Sequence, residues 1–170
     1  MTPSGRRLLI IAVAVATTFA WYLWWSSAAV QADRTFRGLE NAIEQGRAGA
    51  VVDALHHDYD IRAAWPNQLG GDAGGMVGDG MLRLLVIRGL AGLFQLQSAD
   101  PFVFAYTIHD VAPQDDGTVV VTASIDLSTT SGERPLTFTP RLNAQRFVLA
   151  RDGWWPTLYV RSHPAFSVAY

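Results

Sequence analysis

PFVFAYTIHDVAPQDDGTVVVTASIDLSTTSGERPLTFTPRLNAQRFVLARDGWWPTLYVRSH, running from Pro101 to His163, is the stretch that decides the fold. It divides into runs that read as strands: Phe102–Val111, Val119–Ser128, Leu136–Ala150 and Trp154–His163. The breaks between them carry the Pro, Asp and Gly residues that a chain reversal needs, so an antiparallel meander is expected. Phe102, Phe104, Tyr106 and Ile108 share one parity, as do Val119, Val121, Ala123, Ile125 and Leu127. Each set therefore falls on one face of a strand. In the third run the phase changes, from Phe138 and Leu142 to Phe147 and Leu149, and Pro140 lies between. A bulge or sharp bend is expected there, because Pro cannot donate to a ladder.

Upstream of the sheet the patterning is helical. Ala29, Ala32, Phe36, Leu39 and Ile43 recur at three- and four-residue intervals within Ser26–Gln45, the mark of an amphipathic helix. Nothing between Trp25 and Ala32 breaks a helix, so the preceding segment is expected to run straight into it. Gly46 is a stop, Ala48–His57 a second short helix, and Asp58–Trp65 a short extended piece ended by Pro66. After the glycine-rich loop 70–80, Met81–Gln97 reads as a longer helix capped by Asp79. Its apolar face is Leu82, Leu85, Val86, Leu90, Leu93 and Phe94, while Arg83 lies off that face. The fold class is α+β: a cone-like domain of three helices packed on a bent antiparallel sheet, spanning about 26–166, behind an N-terminal helix.

That N-terminal segment, Leu8–Trp25, is LLIIAVAVATTFAWYLWW. As a helix it extends about 27 Å, close to the roughly 30 Å hydrocarbon core of a bilayer. Arg6 and Arg7 precede it, and Trp21, Tyr22, Trp24 and Trp25 close it like an interfacial belt. A retained anchor is expected in preference to a cleaved leader, because the run exceeds a usual signal-peptide core. With the arginines inside, residues 1–25 form a cytoplasmic arm and a single-pass span of a bacterial inner (plasma) membrane, and the domain lies outside the cytoplasm.

Composition narrows the function classes. The 170 residues carry a net charge of −2, and all 13 basic residues are scattered arginines, so nucleic-acid binding is not expected. Cys is absent, which excludes disulfides, thiolate metal sites and a cysteine nucleophile. The 4 histidines, His56, His57, His109 and His163, show no HExxH-type spacing, so no metal is expected. The glycine-rich loop fits neither GxGxxG nor a P-loop, and no cofactor is expected.

The passage Gly46-Arg-Ala-Gly-Ala-Val-Val-Asp-Ala-Leu-His-His-Asp-Tyr59 resembles the helix and Leu-x-x-Asp-Tyr entry to the first strand of the nuclear transport factor 2-like superfamily. Phe147-Val-Leu-Ala-Arg-Asp-Gly-Trp-Trp155 is similar to that superfamily's strand, charged turn, Gly and Trp. The resemblance implies a cone with a pocket between helices and sheet. Trp65, Tyr106, Trp155 and Tyr159 are the pocket-lining candidates. The architecture of a span followed by such a domain also resembles the bitopic assembly factor of type IV secretion systems. It implies a membrane-anchored, non-enzymatic binding or assembly domain. Its expected partners are the membrane, a small apolar ligand, and a protein partner or second copy through the sheet.

The rival is an anchored isomerase, dehydratase or cyclase working in the same cone. Its candidates are His57 or Asp110 as base, with Tyr59 or Tyr106 as donor. Adjacent residues on a helix point about 100° apart, so His56 and His57 are not expected to face one pocket together.

Overall fold

The computed structural model describes residues 3–61, 78–132 and 142–163. In chain order these form α1 (Pro3–Trp25), α2 (Ala28–Glu44), α3 (Ala48–Asp53), α4 (Asp79–Leu96), β1 (Phe102–Pro113), β2 (Val119–Thr129), β3 (Leu142–Arg151) and β4 (Leu158–Ser162). The strands make a 4-stranded antiparallel meander in the order β1-β2-β3-β4. The architecture is α+β, with helices over one face of the sheet.

The meander carries its irregularities as bulges. Register shifts at Ile108/Asp110, at Ala123/Ile125 and at Val148/Leu149. The middle one sits at Ala144, a non-glycine residue at φ 43 whose N–H is taken by Ser124 Oγ at 3.1 Å. An unpaired donor thus finds a side-chain partner where the ladder skips, and the strand changes phase ahead of Phe147 and Leu149. Pro140, where the sequence predicts the bend, lies outside the described residues.

The core lies where α2 crosses the sheet. Ala32 and Phe36 are wholly buried against Val121, Ala123, Phe147 and Leu149. Phe36 stacks on Tyr106 at 5.4 Å and meets Phe147 edge-on at 5.2 Å. Thr35 Oγ1 donates to Leu158 O at 2.7 Å, tying the helix to β4. The end of α2 is a Schellman motif: Arg47 N–H bonds Ala42 O at 2.8 Å and Gly46 N–H bonds Ile43 O at 3.0 Å. Gly46 adopts φ +64 there, a conformation that a side chain would strain.

Several expected boundaries move. α1 and α2 do not form one straight helix: Ser27 is extended (φ −62, ψ 144) and the axes bend by 58°. Among the described residues no single helix is long and apolar enough to cross a membrane, although Ile10–Trp25 and Ala28–Glu44 pass that test as a bent pair. α3 stops at Asp53, because the next residues pair with the sheet instead. Leu55 bridges Val160 in parallel, His56 N–H donates to Val160 O at 2.8 Å, and Val160 N–H donates to Ala54 O at 2.9 Å. Of the extended piece expected over Asp58–Trp65, residues 58–61 form no strand and residues 62–65 lie outside the described residues.

The fourth strand begins at Leu158 rather than Trp154. Gly153 (φ +76) and Pro156 belong to the turn, and Trp154 and Trp155 stack on each other at 4.5 Å instead of alternating across a sheet. In α4, Leu82 is buried but Leu85 is 43% exposed. Arg83, expected on the outer side, is half-buried and donates to His56 O at 2.5 Å and His57 O at 3.3 Å.

Candidate functional site

α4 does not press onto the sheet as α2 does. Between them, a cavity of about 190 Å3 opens beneath α4. Its walls are Phe36, Leu39 and Ile43 of α2, Val51 and Val52 of α3, Val86, Leu90, Leu93 and Phe94 of α4, and Phe102, Phe104, Ile125, Leu127, Phe147 and Val160 of the sheet. Among the described lining residues, only Tyr59 and His163 bring polar side-chain atoms. The Tyr59 hydroxyl is hydrogen-bonded to His163 Nε2, and the rings lie 5.5 Å apart.

These same residues also border an outer, polar hollow of about 410 Å3 with Asp58, Asp60, Asp116, Thr118, Arg161 and Ser162. The Tyr59–His163 pair is therefore the polar partition between an apolar interior and a charged surface depression. No carboxylate is among the described residues lining the inner cavity.

The candidate residues fall in different places. Tyr59 is buried in the cavity wall. Tyr106 is on the correct face of β1 but is used up in packing on Phe36, and its hydroxyl donates to Asp33 Oδ1 at 2.8 Å. Burial and that carboxylate push its pKa up. Tyr159 faces away, since its neighbours Leu158 and Val160 are the residues that point into the core. Trp155 is exposed in the β3–β4 turn, and Trp65 lies outside the described residues.

His57 and Asp110 are exposed and are not part of the cavity lining. His57 Nε2 instead lies 3.1 Å from Asp58 Oδ1, and its Nδ1 lies 3.6 Å from Asp152 Oδ2. The imidazoles of His56 and His57 do lie together, with centroids 4.1 Å apart, because both follow the end of α3 and escape helical geometry. With Asp58 they bring ligand-type atoms within 4.8 Å of one another. But His56 Nδ1 accepts from Asp58 N–H at 3.1 Å and Nε2 donates to Arg151 O at 3.3 Å. Both ring nitrogens are thus committed to holding the turn, and the trio reads as a structural tie.

The sequence marks Tyr59 as a donor but does not pair it with His163. The partners are 104 residues apart, and no local spacing signals them.

Fold and site define an α+β domain with an apolar chamber that has a Tyr–His pair in its wall. No family model and no curated protein matches the chain. Among solved structures it is similar to Aln2 from a Streptomyces species, with a TM-score of 0.53 at 13% identity, covering 80% of this chain and 87% of that one. It is also similar to a protein from Catenulispora acidiphila, with a TM-score of 0.50 at 18% identity, covering 82% of this chain and 92% of that one. At these identities the likeness is one of fold.

Proposed function

We propose that this protein is a nuclear transport factor 2-like binding domain for a small, mainly apolar molecule, held at a membrane by α1. The domain faces away from the cytoplasm and works by binding rather than by catalysis. The single observation that carries the reading is the apolar cavity whose described lining holds one polar pair, Tyr59 and His163. Its 190 Å3 exceeds the about 150 Å3 that accommodates benzene and falls below the ~300 Å3 typical of drug-sized ligands. The ligand is accordingly fragment-sized, with an apolar body and one hydrogen-bonding group directed at Tyr59 and His163. Support for the tether comes from α1, whose Ile10, Val15, Phe19 and Leu23 are all exposed.

The test is titration of the full chain in lipid nanodiscs with naphthalene and 2-naphthol, followed by calorimetry. Both should saturate. The naphthol should bind about two- to tenfold more tightly, the gain of one hydrogen bond. Tyr59→Phe should shrink that difference, and Leu90→Trp, which fills the cavity, should abolish both. Absence of saturable binding by either compound would overturn the reading.

The Tyr59–His163 bond favours a second reading, in which the chamber is the site of an isomerase, dehydratase or cyclase and Tyr59 moves a proton. A buried hydroxyl within reach of an imidazole can do so. Loss of in vivo complementation in a folded Tyr59→Phe protein that still binds naphthalene would favour it.

A further inference from the structure

The exposed Trp154–Trp155 pair is explained by where the sheet register puts it. Phe102 at the start of β1 lies against Phe94, 6.0 Å between ring centroids, and Phe94 in turn lies beside Gly46 at the C-terminal end of α2. Further along β1, Tyr106 reaches Asp33, so β1 runs back toward the N-terminal end of α2. Pro113 at the far end of β1 is opposite Val119, Val119 is opposite Leu149, and Arg151 is opposite Leu158. The β3–β4 turn therefore lies at the same end of the domain as the start of α2. The Thr35–Leu158 hydrogen bond fixes this placement independently, about two helical turns from the first residue of α2.

That end is also where α1 leaves. Gln31 Nε2 donates to Trp25 O at 2.6 Å, and the Arg34 guanidinium sits 4.7 Å over the Trp25 ring. Trp21, Tyr22 and Trp24 follow on the exposed surface of α1. The aromatic end of α1 and the tryptophan turn thus share one side of the molecule.

We infer that the β3–β4 turn is a second membrane contact, in which Trp154 and Trp155 enter the interface of the bilayer that α1 anchors. The inference rests on the membrane reading of α1. Trp is highly buried on average, yet here Trp154 is 83% and Trp155 56% exposed. An amphipathic ring with one N–H suits the boundary between headgroups and acyl chains. The turn is bordered by Arg151 and Asp152, whose charges offset each other. Its partner is therefore the apolar–polar boundary of a zwitterionic bilayer and not an anionic headgroup. With α1 this gives the domain two contacts with the membrane and a fixed orientation upon it, in place of free rotation about one stalk.

The chain contains no Cys, so single spin labels can be placed cleanly. The full chain in phosphatidylcholine nanodiscs would be labelled, one site at a time, at Trp154→Cys, Val15→Cys and Asp126→Cys. Relaxation by oxygen and by a water-soluble nickel chelate is then compared. Val15 reports on α1, and Asp126 is an exposed position toward the opposite end of β2. The expected result is an oxygen-to-nickel ratio at position 154 several-fold above that at 126 and nearer that at 15.

A water-like ratio at 154 with a lipid-like ratio at 15 would overturn the second contact and leave the anchor standing. A water-like ratio at 15 would overturn both. Low relaxation by both agents at 154 would show a protein neighbour and overturn the lipid contact. Trp154 is exposed and stacks only on Trp155 of the same turn among the described rings, so a label there leaves the core intact; Asp152→Cys, which keeps that stack, supplies the repeat measurement and should follow 154.

Discussion

α2 and α4 both turn apolar residues toward the sheet, α2 from a sharply two-sided helix and α4 from one apolar nearly all round, and the fold uses them in opposite ways. α2 buries Ala32 and Phe36 completely and is pinned to β4 and β1 by Thr35 and Asp33. α4 buries only Leu82 fully; Val86, Leu90, Leu93 and Phe94 face the cavity, and Met81, Leu84, Leu85 and Leu96 are exposed. α2 is chiefly the seam of a packed core, with Phe36, Leu39 and Ile43 also reaching the cavity wall, whereas α4 is the roof of that chamber. Periodicity identifies which face of a helix turns inward. Whether that face meets atoms or space depends on what stands opposite.

The largest expected effect tests this contrast directly. Phe36→Ala removes a ring enclosed by Tyr106 and Phe147 and should cost about 3–5 kcal/mol. Leu90→Ala, on a wall already facing space, should cost well below the ~2–5 kcal/mol of a packed leucine. Denaturant titration of both variants measures the gap, and equal losses would mean that the roof is packed as tightly as the seam.

Within α4 a second, smaller contrast sharpens the assignment of its faces. Arg83→Ala leaves the His56 and His57 carbonyls without their charged donor and should cost about 1–3 kcal/mol. Leu85→Asp, at a position 43% exposed, should stay within about 0.5 kcal/mol. Thermal melts that rank the pair the other way would place Leu85 inside.

What is legible in the sequence follows from how local each signal is. The strand parities of Phe102–Ile108 and Val119–Leu127, the stop at Gly46 and the amphipathic α2 all depend on neighbouring residues, and each can be read directly. The end of α3 cannot, because Ala54, Leu55 and His56 leave the helix to pair with Val160, more than a hundred positions away. Trp154 and Trp155 read as strand in the sequence, since aromatics favour strands, but Pro156 and Gly153 hold them in a turn. For the site, Tyr59 can be singled out as a polar residue near a helix end. Its pairing with His163 depends on the closing of the cone, which no spacing encodes. Periodicity misplaces Leu85 because an apolar stripe about as wide as that of α4 has an edge, and only Arg83 reaching back to His56 shows where that edge falls.

The smallest effects separate the two ends of the sheet. Asp116 accepts from Thr118 N–H at 2.9 Å and Thr118 Oγ1 at 2.6 Å, and Asp100 accepts from Ser131 N–H at 2.9 Å and Ser131 Oγ at 2.6 Å. These bonds to the ionised form hold both carboxyls below the usual aspartate range, with Thr118 the main cause for Asp116 and Ser131 for Asp100. A depressed folded pKa means that the unfolded chain binds the proton first as pH falls. The stabilisation is therefore present above the unfolded value of about 3.9 and is lost as pH drops through the folded value. Asp116→Asn and Asp100→Asn should each lower the melting temperature slightly at neutral pH, and each difference from wild type should close in acid. They should differ at the chamber. Asp116 braces the β1–β2 turn at the rim of the outer hollow, whereas Asp100 ties the link between α4 and Phe102 to the turn after β2. Of the two, only Asp100→Asn should weaken naphthalene binding, since of the two bonds only that one holds the link to the roof. Equal binding losses in both variants would mean that the chamber depends on the sheet as a whole, and the contrast between seam and roof would lose its functional meaning.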